Sequence, residues 1–183
     1  AEPGQGFLLA MTTFTRTRPI IGSFGVGAAR TAMELAIDYA KRRRAFGFPI
    51  KEFQAVAFKV AEMYHKVETA RLLTWKAAWE ADSGQDPTIT ASITKFYATE
   101  AAFEVVDEAL QIFGGYGYTR MYPIEKLFRD MRLLRIYEGT SEVQRVILSR
   151  FAFDSYKPIM PALEDFPQFA HLDVHERPGE TAW

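Results

Sequence analysis

Apolar residues recur at three- and four-residue intervals over most of the chain, and strand-like alternation is almost absent. A short apolar run over about 6–14 predicts a first helix. Pro19 suits the first turn of a second, where its missing N–H goes unused. From there Ile20, Phe24, Ala28, Met33, Leu35, Ala36 and Tyr39 form a rough apolar stripe. It runs into Lys41, Arg42, Arg43 and Arg44, cations that complement the dipole at a helix C-terminus. Gly47 and Pro49 then break the pattern.

A third helix is expected over about 51–81, with Phe53, Val56, Val60, Met63, Tyr64 and Val67 at helical spacing. Asp86 reads as an N-cap with Pro87 at the first helical position, and the helix it opens continues to Phe113. Pro123 starts a shorter one through about 134. Ser141 and Gln144 have capping-box spacing, so a last helix begins near Glu142. It carries Val143, Val146, Ile147 and Phe151 at helical intervals to about 156. Long helices joined by short turns predict an all-α, antiparallel helical bundle over 1–157. Pro158, Pro161, Pro167 and Pro178 punctuate the remainder, 158–183, which reads as an extended tail.

Composition narrows the function classes. With 183 residues, 48% of them hydrophobic, the chain fits one domain with a sizeable core. A net charge of −1 provides no global attraction to nucleic acid or anionic membrane. No apolar run stands out as long enough to span a bilayer. The absence of cysteine excludes disulfides and thiolate zinc sites and is compatible with a reducing compartment, so a cytoplasmic location is expected, or the mitochondrial matrix in a eukaryote. His65, His171 and His175 lack metal-binding spacing, and no metal site is expected.

Four stretches carry candidate chemistry. Gly22, Gly25 and Gly27 follow no strand and lack dinucleotide-fingerprint order; small residues that let helices approach closely account for them. The basic cluster suits a helix end or a phosphate contact. "QIFGGYGY" places two glycines after a helix, a C-terminal turn that also lets a ligand reach backbone amides. In "IYEGTSEVQR", Glu138 lies in a turn just outside a helix N-terminus. An acid there also interacts favourably with the helix dipole, so position alone leaves its role open.

Taken together, "GQGF..AM...F..TRP", "YAKRRRAFGFPIKEFQAVAF", "QIFGGYGYTRMYPIEKLFRD" and "IYEGTSEVQR" resemble the C-terminal helical domain of the acyl-CoA dehydrogenases, most closely the short- and medium-chain type. The resemblance runs from about 4 to 150. It implies FAD-dependent oxidation of an acyl-CoA thioester to the trans-2-enoyl-CoA, with Glu138 as the base that removes the α-proton. It further implies that Arg43 meets the flavin pyrophosphate, that Phe46 and Gln54 serve its adenosine half, and that Gln111 and Gly115 receive the adenine end. In the family those contacts come from a neighbouring subunit, so a homotetramer is implied. Thr140 and Glu142 match the pair beside the pyrophosphate and adenosine. Arg18 matches an arginine that helps position CoA, Tyr137 would line the acyl pocket, and Gly139 would leave room for the thioester.

Departures from the family pattern are local. Ala45 stands where many members carry a hydroxyl for the flavin phosphate, and Thr15 replaces an acid beside the CoA site. Thr17 occupies the region where some branches carry their base, which leaves Glu138 as the candidate that fits. Full members have an N-terminal helical domain and a β domain before this one. The chain alone is therefore expected to be incomplete as a catalyst, either one piece of a divided enzyme or a fragment of a longer one. Electron-transfer flavoprotein is the acceptor the resemblance implies. An acyl-CoA oxidase, or a helical subunit that supplies only the FAD adenosine pocket, are the alternatives.

Overall fold

The computed structural model describes residues 2–160. Five α-helices make an all-α bundle: α1 (Gly6–Arg42), α2 (Gln54–Asp82), α3 (Thr88–Phe113), α4 (Ile124–Leu134) and α5 (Ser141–Asp154). A two-stranded antiparallel hairpin, β1 (Arg44–Ala45) and β2 (Phe48–Pro49), follows α1, and a 3-10 turn over Gly114–Tyr118 follows α3. Most of the tail expected over 158–183 lies outside the described residues; Ile159 and Met160 are exposed.

The two helices expected before residue 43 are one. Pro19 lies inside α1 rather than at a start. An interior proline removes one ladder hydrogen bond and costs about 3 kcal/mol. The 37-residue helix absorbs that because it packs along much of its length, with Arg18, Ile21, Gly25, Ala29, Ala32 and Ala36 all buried. Unbroken, α1 is long and apolar enough to cross a membrane by length and composition alone. The expectation that no such stretch exists is corrected here. In this fold, the buried side of α1 belongs to the core of the bundle.

The expected α1 stripe holds from Ala28 to Tyr39, with Met33 and Ala36 buried and Ala28, Leu35 and Tyr39 packed on the core, but not at its start. Ile20 and Phe24 are half exposed, while the small residues beside them face α3. A Cβ on Gly25 would lie 2.9 Å from the Ala98 carbonyl oxygen, and one on Gly22 would lie 2.7 Å from the Thr94 methyl. Glycine here is thus a condition of helix contact, as expected from the sequence. Gly27, the third of the set, faces open space. Alanines continue the close approach, with Ala32, Ala36, Ala98, Ala102 and Ala109 fully or almost fully buried.

Three helix boundaries shift by one to three residues. α3 begins at Thr88, with the Asp86 carboxylate accepting from the Thr88 N–H at 3.0 Å. The segment over Ile50–Glu52 is a 3-10 turn, so α2 starts at Gln54. α5 is capped by Thr140, whose hydroxyl accepts from the Val143 N–H at 3.3 Å, not by Ser141. Ser141 is buried and donates to Glu100 instead. On α5, Val143 and Val146 are exposed while Ser141 and Gln144 are buried, so its first turn docks through polar groups.

Candidate active site

The turn between α4 and α5 is backbone-strained. Glu138 has φ +57°, and Gly139 follows with φ +89°. For a residue with a Cβ the left-handed region costs roughly 1–2 kcal/mol, so glutamate is an expensive choice there. The surroundings hold it in place. The Ser141 N–H donates to the Arg135 carbonyl at 3.1 Å and closes the turn. Arg18 Nε and Gln144 Nε2 each reach the Glu138 carbonyl at 3.5 Å. The Gly139 carbonyl accepts from Lys95 Nζ at 2.7 Å and from Gln144 Nε2 at 3.2 Å. The Thr17 hydroxyl donates to Glu138 Oε2 in a short contact.

These supports come from three elements. α1 supplies Thr17 and Arg18. α3 supplies Ser92, which accepts from Arg18 Nη1 at 3.5 Å, then Lys95 and, one turn on, Glu100. Glu100 also pairs with Arg135 at 2.7 Å. Ser92 and Lys95, three residues apart, share a face of α3, while Glu100 flanks that face and reaches Ser141 and Arg135. α5 supplies Gln144, which is fully buried.

Arg18 is 4% exposed, and burial lowers its pKa, opposed in part by the nearby Glu138 charge. Lys95 is 0% exposed. Burial first, and Arg18 second, push its ammonium down from 10.5 to about 8, while Glu100, Glu138 and Glu142 pull the other way. Burial raises the Tyr137 phenol, and the adjacent Glu138 adds to the effect. Glu142 is exposed, its carboxyl held below the usual range first by its own backbone N–H and then by the Thr140 hydroxyl.

The depressed Lys95 pKa has a signed consequence. Between about 8 and 10.5 the unfolded chain holds a proton on this lysine that the folded chain has released. Stability therefore rises with pH across that window and is lost as pH falls through the folded value. We expect the urea midpoint of the wild type, relative to Lys95→Met, to rise between pH about 7.5 and about 10. A constant difference between the two would show that the ammonium carries no burial penalty.

The second group of sequence-predicted residues lies at the far end of α1. Arg43 caps that helix, is exposed, and sits 5.6 Å over the Tyr116 ring. It lines a cleft of about 520 Å³ with Tyr39, Phe113, Gly114, Gly115 and Tyr116. Tyr39 stacks on Phe113 at 4.2 Å, which makes one wall rigid and aromatic. Ala45 is half-buried in β1. Phe46 forms the hairpin turn with Gly47, at φ 52° and 88°, and is 91% exposed with its ring edge-on to Phe53. Two successive positive φ values make this the primed hairpin turn, whose twist matches its strands. Gln54 opens α2 and Gln111 lies in the last turn of α3, both exposed.

The structure thus gathers the predicted residues into two places. Arg18, Tyr137, Glu138, Gly139, Thr140 and Glu142 share the α4–α5 turn and its border. Arg43, Gln111 and Gly115, with the neighbouring hairpin, share the other end. Arg18 and Arg43 are 25 positions apart on or just past one helix, roughly 37 Å at 1.5 Å per residue. Lys95, Ser92, Glu100 and Gln144 were not anticipated. The one signal for them is polarity inside an otherwise apolar helical stretch, "ASITK", and the Gln144 spacing reads equally well as a cap.

Comparison with known proteins identifies the family. Residues 4–153 match the family model for the acyl-CoA dehydrogenase C-terminal domain. The chain is 46% identical over 150 residues to the Mycobacterium tuberculosis protein named "Probable acyl-CoA dehydrogenase FadE25", covering 81% of this chain and 39% of that protein. It is 44% identical over 148 residues to the 3-(aryl)acrylate reductase of Clostridium sporogenes, with the same coverage. Butyryl-CoA dehydrogenase from Megasphaera elsdenii superposes with a TM-score of 0.80 at 41% identity, covering 81% of this chain and 39% of that one. The chain spans about two fifths of the length of the curated relatives it matches. By family model, sequence identity and fold, it belongs to the acyl-CoA dehydrogenase family, as that family's C-terminal helical domain.

Proposed function

We propose that this chain is the base-bearing domain of an FAD-dependent acyl-CoA dehydrogenase, and that Glu138 removes the α-proton of an acyl-CoA thioester. The observation that carries this reading is the left-handed Glu138 with its carboxylate held by Thr17. A glutamate kept only for the α5 dipole needs neither feature. The Thr17 hydroxyl occupies Oε2, which leaves Oε1 to accept the proton. The Glu138 N–H would serve as a donor to the thioester oxygen as negative charge develops there. Tyr137 would border the acyl chain, and Arg18 the CoA side of the turn.

The residues present fit FAD. An exposed guanidinium beside glycine backbone and an aromatic wall suits a pyrophosphate and its adenosine. Arg43, Phe46, Gln54, Gln111 and Gly115 would hold the adenosine and pyrophosphate, with Ala45 adding backbone only; Thr140 and Glu142 would meet the cofactor at the turn. When bound, the flavin supplies the acceptor for the β-hydrogen as hydride. Arg18, beside the turn, and Arg43 lie roughly 37 Å apart along α1, so the two groups of cofactor contacts are at opposite ends of one helix. The Arg43 end of one copy would therefore complete the Glu138 end of another, so the working unit is a homo-oligomer. Electron-transfer flavoprotein is the acceptor that fits this chemistry.

The test is anaerobic mixing of acyl-CoA with the complete protein, in which this domain is joined to the remaining domains and loaded with flavin. Bleaching of the oxidised flavin is expected. A flavin-bound protein that no short-chain, medium-chain, branched or aromatic acyl-CoA reduces would overturn the reading. In the same protein, Arg43→Ala removes a charge-assisted contact worth roughly 1.5–3 kcal/mol, so flavin affinity should fall about 10- to 100-fold. Unchanged affinity in a flavin titration would return Arg43 to a helix-end charge.

A further inference from the structure

Lys95 is the most costly side chain in the bundle to explain by packing. It lies about two turns into α3 with no exposed surface, among the buried Ala91, Ser92, Thr94, Ala98 and Thr99. Apolar residues of similar length fill such positions without the desolvation that an ammonium suffers. Among the described residues no carboxylate lies within ion-pair distance of it; Glu100, Glu138 and Glu142 act on it only through space. Its short contact is to one backbone carbonyl, that of Gly139.

That carbonyl belongs to the turn that sets Glu138. A trans peptide is planar, with its C=O and N–H pointing in opposite directions. Holding the Gly139 carbonyl inward therefore directs the Thr140 N–H outward. Arg18 and Gln144 do the same for the preceding peptide through the Glu138 carbonyl, and so direct the Gly139 N–H outward. With both peptides fixed, Gly139 keeps its φ of +89° and the backbone leaving Glu138 is held, which steadies its carboxylate against Thr17. Rotation of the Gly139–Thr140 peptide would let the chain relax and would carry the carboxylate away from that contact. Gln144 alone is a weaker restraint, since its single amide is shared between the two carbonyls.

We propose that Lys95 is a positioning residue for the catalytic turn: its buried ammonium holds the Gly139 carbonyl inward, and so keeps the Glu138 carboxylate aimed at the substrate. This rests on Glu138 being the base. It goes beyond that reading because it assigns a role to a residue that touches neither substrate nor cofactor. A cation fills the role better than a neutral donor, because a charge-assisted hydrogen bond to a carbonyl is the stronger restraint.

The test uses the complete, flavin-loaded protein with Lys95→Met, which keeps length but donates nothing, and Lys95→Gln, which keeps a neutral donor. Flavin reduction is followed anaerobically over a range of acyl-CoA concentrations. A misplacement on the order of 1 Å costs about 100-fold in rate, so the limiting rate of Lys95→Met should fall about 10- to 100-fold. The half-saturating acyl-CoA concentration should change less than about 3-fold, and Lys95→Gln should regain part of the loss. The thermal midpoint of Lys95→Met should equal or exceed that of the wild type. In a crystal structure of Lys95→Met, the Gly139–Thr140 peptide should be rotated. A limiting rate within about 2-fold of wild type, a loss confined to half-saturation, or a slowed variant whose turn has not moved each overturns the proposal. Should Lys95→Met fail to fold, Lys95→Gln decides by rate and turn geometry. Glu138→Gln run alongside separates the two readings. If it reduces flavin at the wild-type rate, the base assignment fails. If it is slow while Lys95→Met is normal, only the Lys95 role fails.

Discussion

Glu138→Gln is expected to bind acyl-CoA as the wild type does and to reduce flavin about 10²–10⁴-fold more slowly, the usual scale for loss of a general base. The substitution is a clean one at this site. The glutamine side-chain oxygen can still accept from the Thr17 hydroxyl, so the local hydrogen bond survives. The backbone contacts from Arg18, Gln144 and Lys95 do not involve the carboxylate at all. What disappears is the ability to take a proton from carbon. If Glu138 served only the dipole of α5, the change would cost under about 1 kcal/mol of stability and leave reduction untouched. The measurement is single-turnover bleaching of the complete enzyme, with acyl-CoA binding followed separately through the perturbed flavin spectrum. Wild-type bleaching by Glu138→Gln would remove Glu138 from the chemistry.

Much of this architecture was legible because it follows from short-range rules. Helix periodicity, the turns around Gly47 and Pro123, and the small-residue contact at Gly22 and Gly25 are properties of a few neighbouring residues each. Features decided by packing were less so. Pro19 reads as a helix start because its local cost is real, and only the burial of α1 on both sides of it outweighs that cost. Ile20 and Phe24 read as core because they are large. The inward face of α1 is instead chosen by how closely α3 can approach, which favours glycine and alanine.

The candidate site shows the same division. Glu138, Arg43 and the glycine turns stand in motifs, and the family resemblance points to them directly. Their support does not. Lys95 and Ser92 lie some 40 positions before the turn they hold, and Thr17 lies about 120 positions before its partner. Nothing in a linear pattern couples those positions. Thr140 and Ser141 illustrate the point at one-residue resolution. Either hydroxyl can cap α5, and the choice is made by Glu100 of α3, which accepts from Ser141 and leaves the cap to Thr140.

Gly139→Ala should be the most damaging small substitution in the turn. At φ +89° the backbone lies beyond the left-handed well that a residue with a Cβ tolerates, a strain on the order of 1–3 kcal/mol. The added methyl would also lie 2.6 Å from Gln144 Nε2. Gln144 has no exposed surface into which it could swing, and its amide holds both carbonyls of the turn. The new atom therefore strains the backbone and displaces one of its restraints at once. We expect a loss of about 2–4 kcal/mol in chemical denaturation, combining backbone strain with overpacking. A slowing of flavin reduction of about 10- to 100-fold should accompany it, since the base is displaced and not removed. Gly27→Ala is the matched control. It lies within α1 with nothing within 4 Å of an added Cβ, so it should raise stability by roughly 0.5–1 kcal/mol through helix propensity alone. If Gly139→Ala behaved like Gly27→Ala in both measurements, the turn would be far more plastic than its hydrogen bonds imply. Rigid positioning of Glu138 could then not be the basis of its reactivity.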